Sequence, residues 1–168
     1  MTHLLPVDSQ DQIGILASLA HAIWNEHYPS IIGHEQVDYM VAKFQSAAEI
    51  ARQIKEGFAY YLIEHQDQTA GYLALAPDPL NRRLQLSKFY IDASMRGKGI
   101  GKAALEQIRK MAGEQGYETL WLTVNKNNSD AIRAYENMGF ITTDSLVTDI
   151  GNGFVMDDYK MEIQIPQA

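Results

Sequence analysis

The sequence predicts a mixed α/β fold: a mostly antiparallel sheet of about six to seven strands with one parallel pair, and helices on both faces. Three observations lead to it. Residues 58–64 and 70–76 are alternating, aromatic and β-branched segments around a polar turn at 66–68, which is the pattern of an antiparallel hairpin. Residues 84–124 read as strand, glycine-rich loop, helix and strand, and a crossover helix between consecutive strands implies a parallel pair. Residues 141–149 and 154–165 form a last hairpin around the turn at 151–153.

Each element has a local cause. Residues 3–7 fit a short first strand. Asp8 and Ser9 offer caps for a helix over 10–27, where Leu16, Leu19, Ala20, Ile23, Trp24 and His27 hold helical spacing until Pro29 stops it. Val37, Met40, Val41 and Phe44 recur at i, i+3, i+4 and i+7. Ala47, Ile50, Ala51 and Ile54 continue the stripe, so one helical stretch is predicted up to Gly57. After the hairpin, Pro77, Asp78 and Pro79 break the chain before the strand at 84–91. The helix after the glycine loop gathers Ala104, Leu105, Ile108, Met111 and Ala112 on one face, and Gly113 and Gly116 close it. Residues 119–124 are the next strand. Asn128 or Ser129 caps a helix running through Met138, and Gly139 ends it.

Composition bounds the function. A chain of 168 residues fits one domain, with 1–57, 58–140 and 141–168 as its N-terminal, central and C-terminal parts. With 46% hydrophobic and 21% charged residues it reads as a soluble globular protein. Cysteine is absent, which excludes disulfides, thiolate zinc sites and a cysteine nucleophile together. The first ten residues lack the basic and apolar regions of a signal peptide. No run approaches the ~18 apolar residues of a membrane span. A cytoplasmic protein without a membrane partner is expected. The net charge of −7 argues against a nucleic-acid partner and suits a cationic small substrate, although solubility alone explains it as well. No G-x-S-x-G or H-E-x-x-H occurs, and His21, His27 and His34 lack metal spacing, so no metal is expected.

The loop Arg96-Gly97-Lys98-Gly99-Ile100-Gly101 carries the chemistry. Glycines let backbone N–H groups approach a ligand closely, and a helix N-terminus attracts anions. Arg96, Lys98 and Lys102 add positive charge, so a phosphate or pyrophosphate ligand is expected. A phosphate-binding Walker loop fails twice: its first glycine would fall on Arg96 and its Ser/Thr on Ala103. Gly99-x-Gly101-x-x-Ala104 satisfies a dinucleotide fingerprint, but no acid follows the strand ending at Asn125, and only one βαβ unit is visible.

Residues 96–101 match the Q/R-x-x-G-x-G/A pattern of the GNAT superfamily of N-acetyltransferases. Val124, Asn125, Asn128, Ala131, Tyr135, Gly139 and Phe140 follow that family's V-N-x-x-N-x-x-A-x-x-x-Y-x-x-x-G-F pattern without a gap. The chain therefore resembles the GNAT superfamily, whose three-layer fold has a splayed parallel pair at its centre. The resemblance implies a single acetyltransferase domain using acetyl-CoA as cosubstrate, with no metal. Its amine acceptor would be a small molecule or peptide, cationic amines included. It also implies that backbone N–H groups of Arg96, Gly97, Lys98, Gly99, Ile100 and Gly101 hold the pyrophosphate, with Lys102 beside them. The pantetheine arm would run along Phe89, Tyr90 and Ile91, and Asn128 would contact it or cap its helix. The resemblance allows a homodimer through the late strands.

For the chemistry, a backbone N–H near Ile91 is the expected oxyanion contact and Tyr135 the general acid for the leaving thiolate. Many relatives carry a Glu base on the strand before the loop, but residues 84–91 contain no acid. Glu26, His27, His34, Asp157 and Asp158 are the alternatives, with a water chain beside them. Trp24, His27, Tyr28, His34 and Asp157 are the candidate acceptor contacts. A non-catalytic acetyl-CoA sensor and a nucleotide-dependent oxidoreductase are the rival functions.

Overall fold

The computed structural model describes residues 1–167. Seven strands lie in the order β1-β2-β3-β4-β5-β7-β6. They are β1 (Thr2–Pro6), β2 (Ala59–His65), β3 (Gln68–Asp78), β4 (Arg83–Ile91), β5 (Thr119–Asn125), β6 (Ile141–Gly151) and β7 (Phe154–Gln164). The helices are α1 (Gln10–His27), α2 (Pro29–Ile32), α3 (His34–Phe44), α4 (Ala47–Lys55), α5 (Ile100–Glu114) and α6 (Ser129–Asn137). β4 and β5 run parallel, as a crossover through α5 requires. The β1–β2, β2–β3, β5–β7 and β6–β7 pairs are antiparallel. The chain groups into two compact units, Met1–Pro77 with Lys88–Gln107, and Asp78–Ser87 with the residues from Ile108 on.

In the first unit α1 opens on a capping box: Ser9 Oγ accepts from the N–H of Gln12, and Gln12 Oε1 accepts from the N–H of Ser9. Ile13, Leu16, Ala20 and Ile23 of α1 and Ile50 of α4 pack with Tyr60, Leu62, Tyr72 and Ala74 of β2 and β3. Residues 70–75 of β3 are buried without alternation, so the strand is covered on both faces.

Three expectations need correction here. Pro29 ends α1 but also starts α2, because proline at the first helical position gives up only an N–H that has no partner there anyway. The stripe over 37–54 is two helices. It breaks at Gln45 and Ser46, where Ser46 Oγ caps α4 by accepting from the N–H of Glu49. Pro77 does not break β3, which continues to Asp78; proline is tolerated near a strand end.

In the second unit β5 pairs with β7 over seven residues, from Thr119↔Gln164 to Asn125↔Asp158. Asn152 and Gly153, with φ of 55° and 79°, make the tight turn between β6 and β7. The parallel ladder covers Arg83↔Thr119 to Gln85↔Trp121, although both strands continue beyond it. Gly113 lies inside α5 rather than ending it. A Cβ there would meet Pro166 O at 2.9 Å, so close packing accounts for this glycine.

Candidate functional site

The loop between β4 and α5 is built by short-range bonds. Asp92 Oδ1 accepts from the N–H and the hydroxyl of Ser94, and Met95 N–H donates to Asp92 O. Arg96 Nε donates to Ile91 O at 3.1 Å, which ties the start of the loop back to the end of β4. Gly97 and Gly99 take φ of 76° and 75°, in the region that favours glycine. The space a Cβ would fill at either one is open. The first N–H groups of α5 have no intrahelical acceptor, and Ala103 N–H is the donor that reaches back to Gly99 O. Lys98 and Lys102 are exposed beside them. N–H donors at a helix start, two open glycine positions and two exposed cations are groups that could hold a phosphate.

At the end of β4, Tyr90 sits among aromatic side chains of the same unit. Its ring centroid is 5.5 Å from Trp24, 6.1 Å from Tyr28 and 5.2 Å from Tyr72. Trp24 is buried, stacks on Tyr28 at 4.2 Å and donates from Nε1 to Tyr72 Oη. His27 meets Tyr28 edge-on. The structure thus brings Trp24, His27 and Tyr28 together, while His34 stands exposed at the start of α3. Gly71 of β3 is tight against the same strand end. A Cβ on it would lie 2.1 Å from Tyr90 O.

Lys88 is the residue that sequence reasoning passed over. It is buried on β4, where its Nζ donates to Phe44 O at 2.5 Å and to Tyr60 Oη at 2.6 Å. Burial pushes its amine down to about 7, against a smaller opposing pull from Glu49. Burial also raises the Tyr60 phenol, which donates to Gln53 Oε1. The signal was available: Leu84, Leu86 and Lys88 recur at period two, and both leucines are buried.

In the second unit Tyr135 is half-buried on α6 and packs edge-on against Phe140 at 5.6 Å. Asn128 is buried at the N-cap position of α6. Its backbone O accepts from Ile132 N–H, and its side chain makes no capping bond, which corrects that expectation. Two neighbouring acids have opposite fates. Asp157 is exposed and pairs with Lys126 at 2.8 Å, so its charge is spent at the surface. Asp158 is 6% exposed, and burial, aided by the charge of Asp157, raises its carboxyl to about 6.

A family model described as "Acetyltransferase (GNAT) family" matches residues 19–140. The chain belongs to the GNAT acetyltransferase family. The match takes in the second half of α1 as well as the loop and the α6 motif. Among curated proteins, streptothricin acetyltransferase of Streptomyces lavendulae is 38% identical over 71 residues, 42% of this chain and 38% of that one. Human N-acetyltransferase 8 is 30% identical over 93 residues, 53% of this chain and 41% of that one. The chain thus spans about two-fifths of the length of these relatives. Among solved structures, the PaiA N-acetyltransferase of Thermoplasma acidophilum in complex with coenzyme A has the same fold. Its TM-score is 0.81 at 20% identity, covering 98% of this chain and 99% of that one. No described helix is long and apolar enough to cross a membrane.

Proposed function

We propose that this chain is an N-acetyltransferase that moves the acetyl group of acetyl-CoA to a primary amine by direct attack in a ternary complex. The loop at 96–102 carries the reading, since its two open positive-φ glycines and free helix start fit a pyrophosphate. The cosubstrate supplies an activated acyl group, and the residues of this chain bind and orient it. The N–H groups of residues 96–101 would hold the phosphates, and the backbone of Phe89, Tyr90 and Ile91 would take the pantetheine arm as an added strand. The N–H near Ile91 would stabilise the oxyanion, and Tyr135 would protonate the leaving sulfur.

The acceptor is a small-molecule or peptide amine. The likeness to a protein named streptothricin acetyltransferase favours the small molecule, and the acidic net charge favours a cationic one. Trp24, His27 and Tyr28 are the contacts we assign to it. The absence of cysteine is consistent with work in the cytoplasm. β6, an 11-residue edge strand without lysine or proline, is the surface we assign to a homodimer. An acetyl-CoA sensor without turnover is the second reading, favoured by the absence of an acid on β4.

Acetyl-CoA-dependent thiol release over a panel of amines tests the proposal. Release that depends on both acetyl-CoA and amine supports the enzyme. Cosubstrate binding with no release for any amine supports the sensor.

A further inference from the structure

Tyr72 is a fully buried residue of β3 whose hydroxyl is used twice. It accepts from Trp24 Nε1 at 3.2 Å and donates to Gln45 Oε1 at 3.0 Å. Gln45 is itself buried, at the junction of α3 and α4. Burial holds the Tyr72 phenol well above its usual range, so it keeps its proton and remains the donor to Gln45. A phenylalanine at 72 would fill the space with no polar group to satisfy. The chain Trp24–Tyr72–Gln45 instead satisfies three buried polar groups in one another, and such a network fixes a single arrangement of the side chains it joins.

The arrangement it fixes ends in two tyrosines of the same unit. Tyr28 stacks on Trp24, with ring centroids 4.2 Å apart and planes 24° apart. The Tyr90 ring lies 5.2 Å from Tyr72 and 5.5 Å from Trp24, and it stands at 83° to Tyr28. Trp24 and Tyr72 are buried, whereas Tyr28 and Tyr90 are half-buried. The β3 segment that carries Tyr72 also holds the end of β4. Asp92 N–H donates to Ala70 O at 2.8 Å, and a Cβ on Gly71 would run into Tyr90 O. Ile91 O in turn accepts from Arg96 at the start of the glycine loop. Tyr72 therefore stands behind two half-exposed rings, one of them on the strand end to which that loop is tied.

We infer that Tyr72 is a positioning residue for the acceptor: through Trp24 it sets the Tyr28 ring beside Tyr90, and these two rings receive a positive charge of the acceptor by cation–π attraction. This rests on the acetyltransferase reading above. The face of an aromatic ring carries partial negative charge, and two rings at 83° turn such faces in two directions. The nitrogen that attacks the thioester must be neutral, so a seat for a lasting charge suits a second ammonium group on the same acceptor. The acceptor class is thus an amine with two nitrogens, one that reacts and one that stays charged. The net charge of −7 draws the same class towards the protein. Tyr28 and Tyr90 are the contacts, and Trp24, Tyr72 and Gln45 act from behind them.

The test compares acetyl-CoA-dependent thiol release with 1,4-diaminobutane and 1-aminopentane, which have the same length and differ in one terminal ammonium. Tyr28→Leu should lower kcat/KM for the diamine about 3- to 30-fold more than for the monoamine, and Tyr28→Phe should restore the difference because the ring face remains. Tyr72→Phe keeps its ring and loses the hydroxyl. It should show a smaller loss of the same kind, through KM for the diamine rather than kcat, and Gln45→Met should do so from the other end of the chain. A purely structural Tyr72 would lower stability and treat the two amines alike. Wild-type NMR needs no variant: with coenzyme A bound, 1,4-diaminobutane should move the ring signals of Tyr28 and Tyr90 and the indole N–H of Trp24, and 1-aminopentane should move them less. Equal losses for the two amines in Tyr72→Phe and Gln45→Met, or ring signals that the diamine leaves in place, overturn the assignment; thiol release with either amine then still upholds the acetyltransferase reading. A protein that binds acetyl-CoA but turns over no amine overturns both.

Discussion

Lys88 in the first unit and Asp158 in the second are both buried ionisable groups in the middle of strands, yet their surroundings differ. Lys88 donates to the carbonyl that ends α3 and to a tyrosine that itself donates to Gln53. It fastens the α3–α4 junction to β4, and Tyr72 fastens the same junction by donating to Gln45 Oε1. Asp158 instead lies between the charges of Asp157 and Lys126, which pull its carboxyl in opposite directions. Burial alone therefore does not mark a reactive group. On this comparison, changes around Lys88 should act on stability, and changes in the second unit should act on rate.

Gly71→Ala should have the largest effect. Its Cβ would collide with the backbone O of Tyr90, which cannot rotate away, so unfolding by denaturant should show a loss of about 3 kcal/mol or more. Tyr135→Phe should leave the denaturation midpoint nearly unchanged, because the half-buried ring keeps its contact with Phe140, and should lower kcat about 100-fold or more. A stability loss without a rate loss would break the comparison at its second term.

Lys88 and Asp158 should also give opposite slopes of stability against pH. The folded-state pKa of Lys88 is depressed from 10.5 to about 7, so the unfolded chain holds the proton more tightly in that window. Its contribution to stability therefore rises with pH from about 7 to 10.5, by at most about 1.4 kcal/mol per unit. The folded-state pKa of Asp158 is raised from 3.8 to about 6, so its contribution falls as pH rises through that range. Urea titrations across pH should show the first slope vanish in Lys88→Met and the second in Asp158→Asn. The smallest effect is expected for Ser9→Ala, about 1 kcal/mol from the lost capping box.

The α1 boundaries, the central hairpin, the crossover and the last hairpin were legible because each is written in local grammar: a cap, a period, a turn residue. The glycine loop at 96–101 and the motif over 124–140 made the family legible too, since each is a fixed spacing of residue types within one stretch of chain. The α3–α4 break was not, because the apolar stripe runs through it and only Ser46 marks the restart. Lys88 could be read from strand period once β4 was placed, whereas its partners, Phe44 and Tyr60, lie far off in sequence. Gly71 could not be read at all, since its reason is the carbonyl of Tyr90 on another strand. Asp157 and Asp158 look alike in sequence, and only the fold separates the exposed one, paired with Lys126, from the buried one beside it.

Thermal unfolding with acetyl-CoA, coenzyme A, NADH and ATP side by side tests the account most directly. A ligand held at 100 times its dissociation constant stabilises the fold by about 2.7 kcal/mol, a rise of roughly 5–10 °C for a chain of this size. The account predicts that rise for acetyl-CoA and coenzyme A and none for NADH or ATP. A rise with NADH or ATP instead, or no rise with either coenzyme A species at millimolar concentration, would contradict it.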